Sequence, residues 1–497
     1  MIERKSPPTT GRNFLSLAGP LAYRPCRVMA TQHLPSTFRP STFRPSTFRS
    51  ELGATLRLAG PLALANLLQM AVFATDVIFV ARLGQQALAA SSLAIAIVAL
   101  MMMGINGVTG AVAPLIAAEI GRRSTSVRDV RRSARMALWI AVLFSLGAIA
   151  ISQFGDWLME VTGQEPEVAG LAAHFLKIVS IAVLPMTIAN VLRTFVSALG
   201  RPIFATVITA LAIGVNALGN YVLVFGHFGF PALGLMGSAI ASITTASVMV
   251  LAYALAIRSD RRLRRYHVFG RIWRPEWQRL RQILALGLPI ATTLVAEGGL
   301  FSGAAFLMGR LGEAQLAAHT VALQIAAFAF QVPFGVGQAA TIRVGYHFGA
   351  GNRVAVGQAG WAAITVATIF MVVSASTMLL APRFILSAYV DVEAPQNAVL
   401  VGIALHFLFV AAIFQLTDGL QAVAAGALRG IQDTRVPMAI ALFGYWAAGF
   451  ATSAVLGLFT PLEGVGVWIG LAVGLTVAAV MLIARWHWRE EFHLDRV

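Results

Sequence analysis

Charge is scarce in this chain. Only 12% of its 497 residues are Asp, Glu, Lys or Arg, about half the share of a soluble domain. Lysine is nearly missing: Lys5 and Lys177 are the only two. That excludes an ATP-binding P-loop, which needs Lys before Ser or Thr at the end of a glycine loop. Lys177 is followed by Ile178, and Lys5 follows Met1-Ile-Glu-Arg with no glycine in reach. The single cysteine, Cys26, excludes intrachain disulfides, and no Cys/His cluster points to a structural metal. Long alternating strands with turn signals are missing too, so a β-barrel is excluded.

What is present is apolar sequence. Hydrophobic residues make up 58% of the chain and the mean hydropathy is +0.76. Runs of about 20 apolar residues or more, each long enough to span the hydrocarbon layer, recur from Glu51 onward. They lie near 56–81, 88–118, 136–153, 171–198, 203–226, 235–257, 282–309, 316–346, 358–381, 398–427, 437–459 and 465–485. Only helices then satisfy the backbone in lipid. The reading is an all-α integral membrane protein of about twelve transmembrane helices.

The formal charge of +16 sits in short loops and the N-terminal tail, where it faces cytoplasm and anionic lipid. The loop after the second span holds Arg122, Arg123, Arg128, Arg131, Arg132 and Arg135; the loop after the sixth holds nine arginines between Arg258 and Arg281. The loop after the third span has no Lys or Arg but carries Asp156, Glu160, Glu165 and Glu167, and the loop after the ninth carries Asp391 and Glu393. Basic loops stay inside. This predicts an inner-membrane protein with both termini cytoplasmic. The aromatics of the 258–281 linker, Tyr266, Trp273 and Trp277, read as interfacial anchors rather than as a nucleic-acid patch.

Residues 1–50 differ from the rest. The pentad Pro-Ser-Thr-Phe-Arg runs three times, at Pro35–Arg39, Pro40–Arg44 and Pro45–Arg49. Such low complexity cannot bury a core, so a disordered basic tail is expected, either without a specific role or upstream of a true start at Met29 or beyond.

An internal repeat divides the remainder of the chain. Arg82-Leu-Gly84 reappears as Arg310-Leu-Gly312, 228 residues later. At that same offset Pro61 meets Pro289, Gly107 meets Gly335 and Gly121 meets Gly349. Two six-span halves in the same direction are a transporter signature, with the substrate path between them. The expected domains are a tail (1–50), an N-lobe (51–257), a basic cytoplasmic linker (258–281), a C-lobe (282–488) and a C-terminal tail (489–497).

Three acids lie well inside spans: Asp76, Glu297 and Asp418. An acid at mid-bilayer costs about 2.5–3.5 kcal/mol on insertion scales. It serves either a helix–helix hydrogen bond or an ion or proton site, and the second is the default. Glu297 and Asp418 have no Arg nearby in their own spans. The repeat mates are neutral: Asp76 aligns with Ala304 and Glu297 with Gln69. Asn216 and Asn220 share one face of the fifth helix, where an amide pair facing Asp76 would offer oxygens to a cation. His319 and His406 are candidate proton relays or satisfied interior groups. Gly335–Gly337 and Gly464–Gly466 read as close helix packing.

Five segments carry a family resemblance: Asp76-Val-Ile-Phe-Val-Ala-Arg-Leu-Gly84, Ala317-Ala-His-Thr-Val-Ala-Leu-Gln324, Pro333-Phe-Gly-Val-Gly337, Ile342-Arg-Val-Gly345 and Asp418-Gly-Leu-Gln-Ala-Val-Ala-Ala-Gly-Ala-Leu-Arg-Gly430. From about residue 52 to 488 the chain resembles the multidrug and toxic compound extrusion family, in its NorM-like bacterial branch. The resemblance implies two six-helix lobes in a V and antiport of organic cations and drugs against Na⁺ or H⁺, with no other cofactor. It also implies a C-lobe acid pair, Glu297 and Asp418, and an N-lobe polar cluster of Asp76, Asn216 and Asn220, with Ser242 near a family hydroxyl position. Two departures stand out. Phe414 replaces a Tyr of some relatives, and Asn220 is neutral where another branch has an acid.

The expected protein is therefore a secondary multidrug antiporter and not an enzyme, acting as a monomer in the bilayer on small drugs and organic cations, with no nucleic-acid partner. The runner-up is a flippase for lipid-linked saccharides. Its phosphate-bearing substrate calls for Arg or Lys within the spans. Arg193, at a helix end, is the main such residue, while acids dominate the rest.

Overall fold

The computed structural model describes residues 47–122, 127–161, 166–270, 272–492 and 494. The apolar runs all form helices, since lipid offers their backbones no other partner. Among the described residues twelve are long and apolar enough to cross a membrane. They are α1 (Phe48–Ala81), α2 (Gln85–Arg122), α3 (Val127–Ser152), α4 (Pro166–Ala198), α5 (Ile203–Phe225), α6 (Leu235–Ser259), α7 (Trp277–Leu311), α8 (Glu313–Gly349), α9 (Arg353–Leu380), α10 (Pro395–Gly430), α11 (Arg435–Leu458) and α12 (Glu463–His487).

Helix ends depart from the hydropathy limits where polar groups have work to do. The tail expected to reach residue 50 stops earlier. Thr47, from the third pentad, caps α1 by accepting from the Ser50 backbone N–H at 3.4 Å, and Ser50 Oγ accepts from Thr47 N–H at 2.9 Å. The first two pentads and Cys26 lie outside the described residues. The linker departs too. Asp260 caps a short helix, Arg261–Arg264, and α7 starts at Trp277, inside the expected linker. Trp273 and Trp277 are exposed, as anchors should be, but Tyr266 is buried in an edge-to-face contact with Phe195.

The apolar core has three parts. One cluster joins α1, α2 and α4 to α7, α8 and α10, through residues such as Leu58, Val112, Leu192, Ile290, Val336 and Ala424. Near the opposite ends of the helices there are two separate clusters. One draws on the first half alone (Val80, Ala94, Phe175, Leu235) and the other on the second half alone (Leu300, Ala322, Phe407, Trp468). Two lobes, α1–α6 and α7–α12, thus share a core at one end and keep their own at the other, which is the packing of a V.

The sequence repeat explains how the shared end closes. Gly107 of α2 lies so close to Ala291 of α7 that a Cβ would strike its backbone, and Gly335 of α8 lies likewise against Ala63 of α1. Each residue of one contact is the repeat mate, 228 residues on, of a residue in the other. The same holds for Gly121 against the Tyr346 carbonyl and Gly349 against the Ala118 carbonyl. Small residues let helices approach this closely in lipid, and the duplicated pattern gives the joint a two-fold pseudosymmetry. The repeated prolines, Pro61 and Pro289, sit inside α1 and α7 beside it.

Candidate functional site

In the N-lobe the expected polar cluster is assembled. Asn216 and Asn220 stand one turn apart on α5 and each donates its amide N–H to Asp76 Oδ1, at 2.9 and 2.7 Å. Ser242 Oγ of α6 donates to Asp76 Oδ2 at 3.1 Å. All four side chains are buried. The donors fix the carboxylate by charge-assisted bonds, while the Asn220 carbonyl oxygen, also buried, has no hydrogen-bond partner.

The C-lobe acids come from α7 and α10 and lie close enough to interact electrostatically. Gln421, one turn after Asp418, donates to Glu297 Oε1 at 3.3 Å, and its own oxygen accepts from Tyr445 Oη at 2.9 Å. Asp418 is buried and its Oδ1 has no hydrogen-bond partner. Tyr445 lies in a π-helical segment of α11, Phe443–Phe450; such bulges re-aim side chains and recur at functional sites. The hydroxyl missing at Phe414 is thus supplied near the acids from another helix. Phe414 itself packs edge-on against Phe301 and Trp468.

One expectation fails here. Arg429 belongs to Asp418's own helix, because α10 runs on to Gly430, beyond the hydropathy limit of the tenth span. Its guanidinium acts electrostatically on Glu297. A cation at the end of an apolar run reads as loop in a sequence, so this residue was not legible as part of the site.

Between the lobes, just inside the shared core, lies a cavity of about 350 Å³. It is lined by α1, α2 and α4 on one side and α7, α8 and α10 on the other. Repeat mates face each other across it: Leu62 and Ile290, Asn66 and Leu294, Gly110 and Gln338. The cavity therefore sits on the pseudo-two-fold axis. Its polarity differs from the expected one. Asp76, Glu297 and Asp418 are not among the lining residues, whereas Arg193 and Arg429 are, with several amides between apolar and aromatic side chains such as Met70, Phe73 and Phe334. Arg193 is drawn inward from the end of α4 by Asn66, whose Oδ1 accepts from it.

The histidines divide. His406 is exposed on α10 and bonded only to the Gly402 carbonyl, which excludes it from an interior relay. His319 is buried edge-on to Trp468, with neither ring nitrogen hydrogen-bonded. The glycine pairs are packing elements: Gly335 meets Ala63, and Gly466 meets Leu456. Among the described residues no group of three or more His, Cys, Asp or Glu is arranged to hold a metal.

The MatE family model matches the chain twice, over residues 61–222 and 289–455, the two copies starting at the repeat mates Pro61 and Pro289. A probable multidrug resistance protein NorM from Brucella suis is 42% identical over 447 residues, covering 90% of this chain and 95% of that one. One of the same description from Mesorhizobium japonicum is 44% identical over 436 residues, covering 88% and 93%. Among solved structures, a MATE in complex with MaL6 superposes with a TM-score of 0.82 at 20% identity, over 92% of this chain and 98% of that one. An outward-facing multidrug resistance MATE family transporter of the MOP superfamily gives 0.80 at 20% identity, over 91% and 98%.

Proposed function

The chain belongs to the MatE family of multidrug and toxic compound extrusion transporters, and from that premise we propose that it is a secondary antiporter exchanging organic compounds, cations among them, for Na⁺ or H⁺ across the inner membrane. That it is a multi-pass multidrug efflux transporter, and not an enzyme, follows from the family. The coupling scheme is our reading.

One observation carries it. Glu297 and Asp418 meet in the C-lobe with a single cation, Arg429, in electrostatic range of Glu297. Two carboxylates and one guanidinium leave one negative charge, and buried charge left unbalanced is costly. A proton or a Na⁺ ion completes the balance, and a cationic compound competes for it. The buried, unbonded Asp418 Oδ1 marks where that partner fits. In the N-lobe, Asp76, Ser242 and the Asn216 and Asn220 oxygens form a second all-oxygen donor set, the type that takes Na⁺. Rocking of the lobes about their shared core alternates access to the cavity. Both termini then lie in the cytoplasm, by the loop charges.

The cavity arginines bear on the flippase alternative, which calls for basic groups within the spans. A 350 Å³ cavity is nonetheless of drug size, and the family match favours small compounds. The test is efflux in reconstituted vesicles, driven in turn by an imposed Na⁺ gradient and an imposed pH gradient. Export that follows one gradient and stops when it is collapsed supports the reading. Export indifferent to both would refute it.

A further inference from the structure

The central cavity is basic, and its charge is unevenly balanced. Arg429 has Glu297 behind it. Arg193 has no carboxylate within ion-pair distance among the described residues; its hydrogen bond goes to a neutral amide, Asn66 Oδ1. Asn66 in turn donates to the Gln331 carbonyl of the opposite lobe at 3.5 Å. A guanidinium has five N–H donors in a planar fork, and one bond to Asn66 leaves most of them for the cavity that Arg193 lines. Holding such a charge half-buried without a counter-ion is unfavourable. The wall beside it is otherwise neutral: Asn190, one turn earlier on α4, donates to Asn106 Oδ1 at 2.9 Å, so that pair is already satisfied. Phe334 adds an apolar face. A fork of donors next to an aromatic surface suits a planar anionic group on an apolar body.

We propose that the central cavity binds organic anions or zwitterions through a carboxylate or similar oxyanion held by Arg193, with Arg429 adding to the positive field, so that the exported compounds are not restricted to cations. This rests on the antiport reading for its transport consequence, but not for binding. It also divides the labour between sites: the acids take the coupling cation, and the cavity takes the compound's negative end.

The test uses the full chain in phosphatidylcholine nanodiscs and two fluorescent probes that share one aromatic amine body. One bears a carboxylate and the other its methyl amide. The wild type should bind the carboxylate about ten-fold more tightly, as expected for a charge-assisted contact. Arg193→Gln should bring the ratio close to one, and Arg193→Lys should keep part of it. Equal affinity of the wild type for both probes would overturn the proposal, whatever the variants do. So would a ratio unchanged in Arg193→Gln. Loss of carboxylate binding when phosphatidylglycerol replaces part of the phosphatidylcholine would assign the site to a lipid headgroup and overturn it as well. The same probes are then followed in vesicles. A carboxylate that binds through Arg193 but is exported under neither gradient leaves the site standing and removes the antiport reading instead.

Discussion

Arg343 of α8 holds Glu51 of α1 with both faces of its fork, Nε to Oε2 at 3.0 Å and Nη2 to Oε1 at 2.5 Å. His347, one turn on, adds a contact to Oε1 at 3.0 Å. Both partners of the ion pair are fully buried. Since α1 and α8 belong to different lobes, this pair clamps the shared end of the V from beside the glycine joints. Removing one partner of a buried pair leaves the other uncompensated, at about 3–5 kcal/mol. Glu51→Gln should therefore lower the unfolding temperature of the purified protein clearly. The double variant Glu51→Leu/Arg343→Met, which removes both charges, should recover most of the loss. Thermal unfolding in detergent decides it: a Glu51→Gln protein as stable as wild type would remove the clamp.

The glycine joints make a paired prediction. A Cβ at Gly121 meets the Tyr346 carbonyl, and a Cβ at Gly349 meets the Ala118 carbonyl. Because the two contacts are repeat mates, Gly121→Ala and Gly349→Ala should loosen the same joint by similar amounts. Thr341, which lines the cavity, reports on this: a cysteine there should react faster with a thiol reagent in either variant. Gly53→Ala is the control, since nothing lies within 4 Å of its added methyl. Unequal effects of the two alanines would mean that the joint is not symmetric.

The helices and the acid residues were legible in the sequence because each is a local signal. An apolar run of membrane length has one outcome, and a lone Asp76 or Asp418 inside it is conspicuous. Asn216 and Asn220 were found by their spacing, and the structure puts both on Asp76. What escaped was charge near helix ends. Arg193, Arg343 and Arg429 lie in the last turns of α4, α8 and α10, where hydropathy sees a boundary and loop counting sees a positive-inside residue. Their inward direction depends on partners 127 to 292 positions away, Asn66 for Arg193 and Glu51 for Arg343. Glu51 itself borders a low-complexity tail and drew no notice. Tyr445 was hidden because its position depends on the π-helical turn, which no period in the sequence announces.

Orientation is testable at two exposed positions. Trp273 lies in the basic linker and Glu393 in the acidic loop after α9. By loop charge, a cysteine at Glu393 should label with an impermeant reagent added to intact cells, and one at Trp273 only after permeabilisation. Tyr266 of the same linker is buried, so a cysteine there would label poorly from either side. Labelling in the reverse order would invert the topology.

The last prediction concerns the acids, where packing and coupling make opposite forecasts. Glu297→Gln and Asp418→Asn keep size and hydrogen bonding but remove charge. If the carboxylates only joined helices, the amides would serve as well: Gln421 still reaches residue 297 and its bond to Tyr445 Oη persists. Transport would then continue. If they hold the coupling cation, each variant should fold and insert normally yet lose gradient-driven efflux by at least about ten-fold, because removing the charge removes the site. Asp76→Asn should impair coupling as well, since Asn216, Asn220 and Ser242 all donate to that carboxylate and an amide turned toward them presents an N–H where an acceptor was. The charge count adds a sharper expectation. Arg429→Gln removes the cation beside Glu297, so the pair is left with two negative charges in place of one and should hold a proton or Na⁺ more tightly. Ion-dependent quenching of Trp446 fluorescence, in α11 beside the pair, is one readout, measured against a Trp446→Phe control; the apparent ion affinity should rise in Arg429→Gln while exchange slows. Normal efflux from both Glu297→Gln and Asp418→Asn, at matched expression, would sink the coupling assignment.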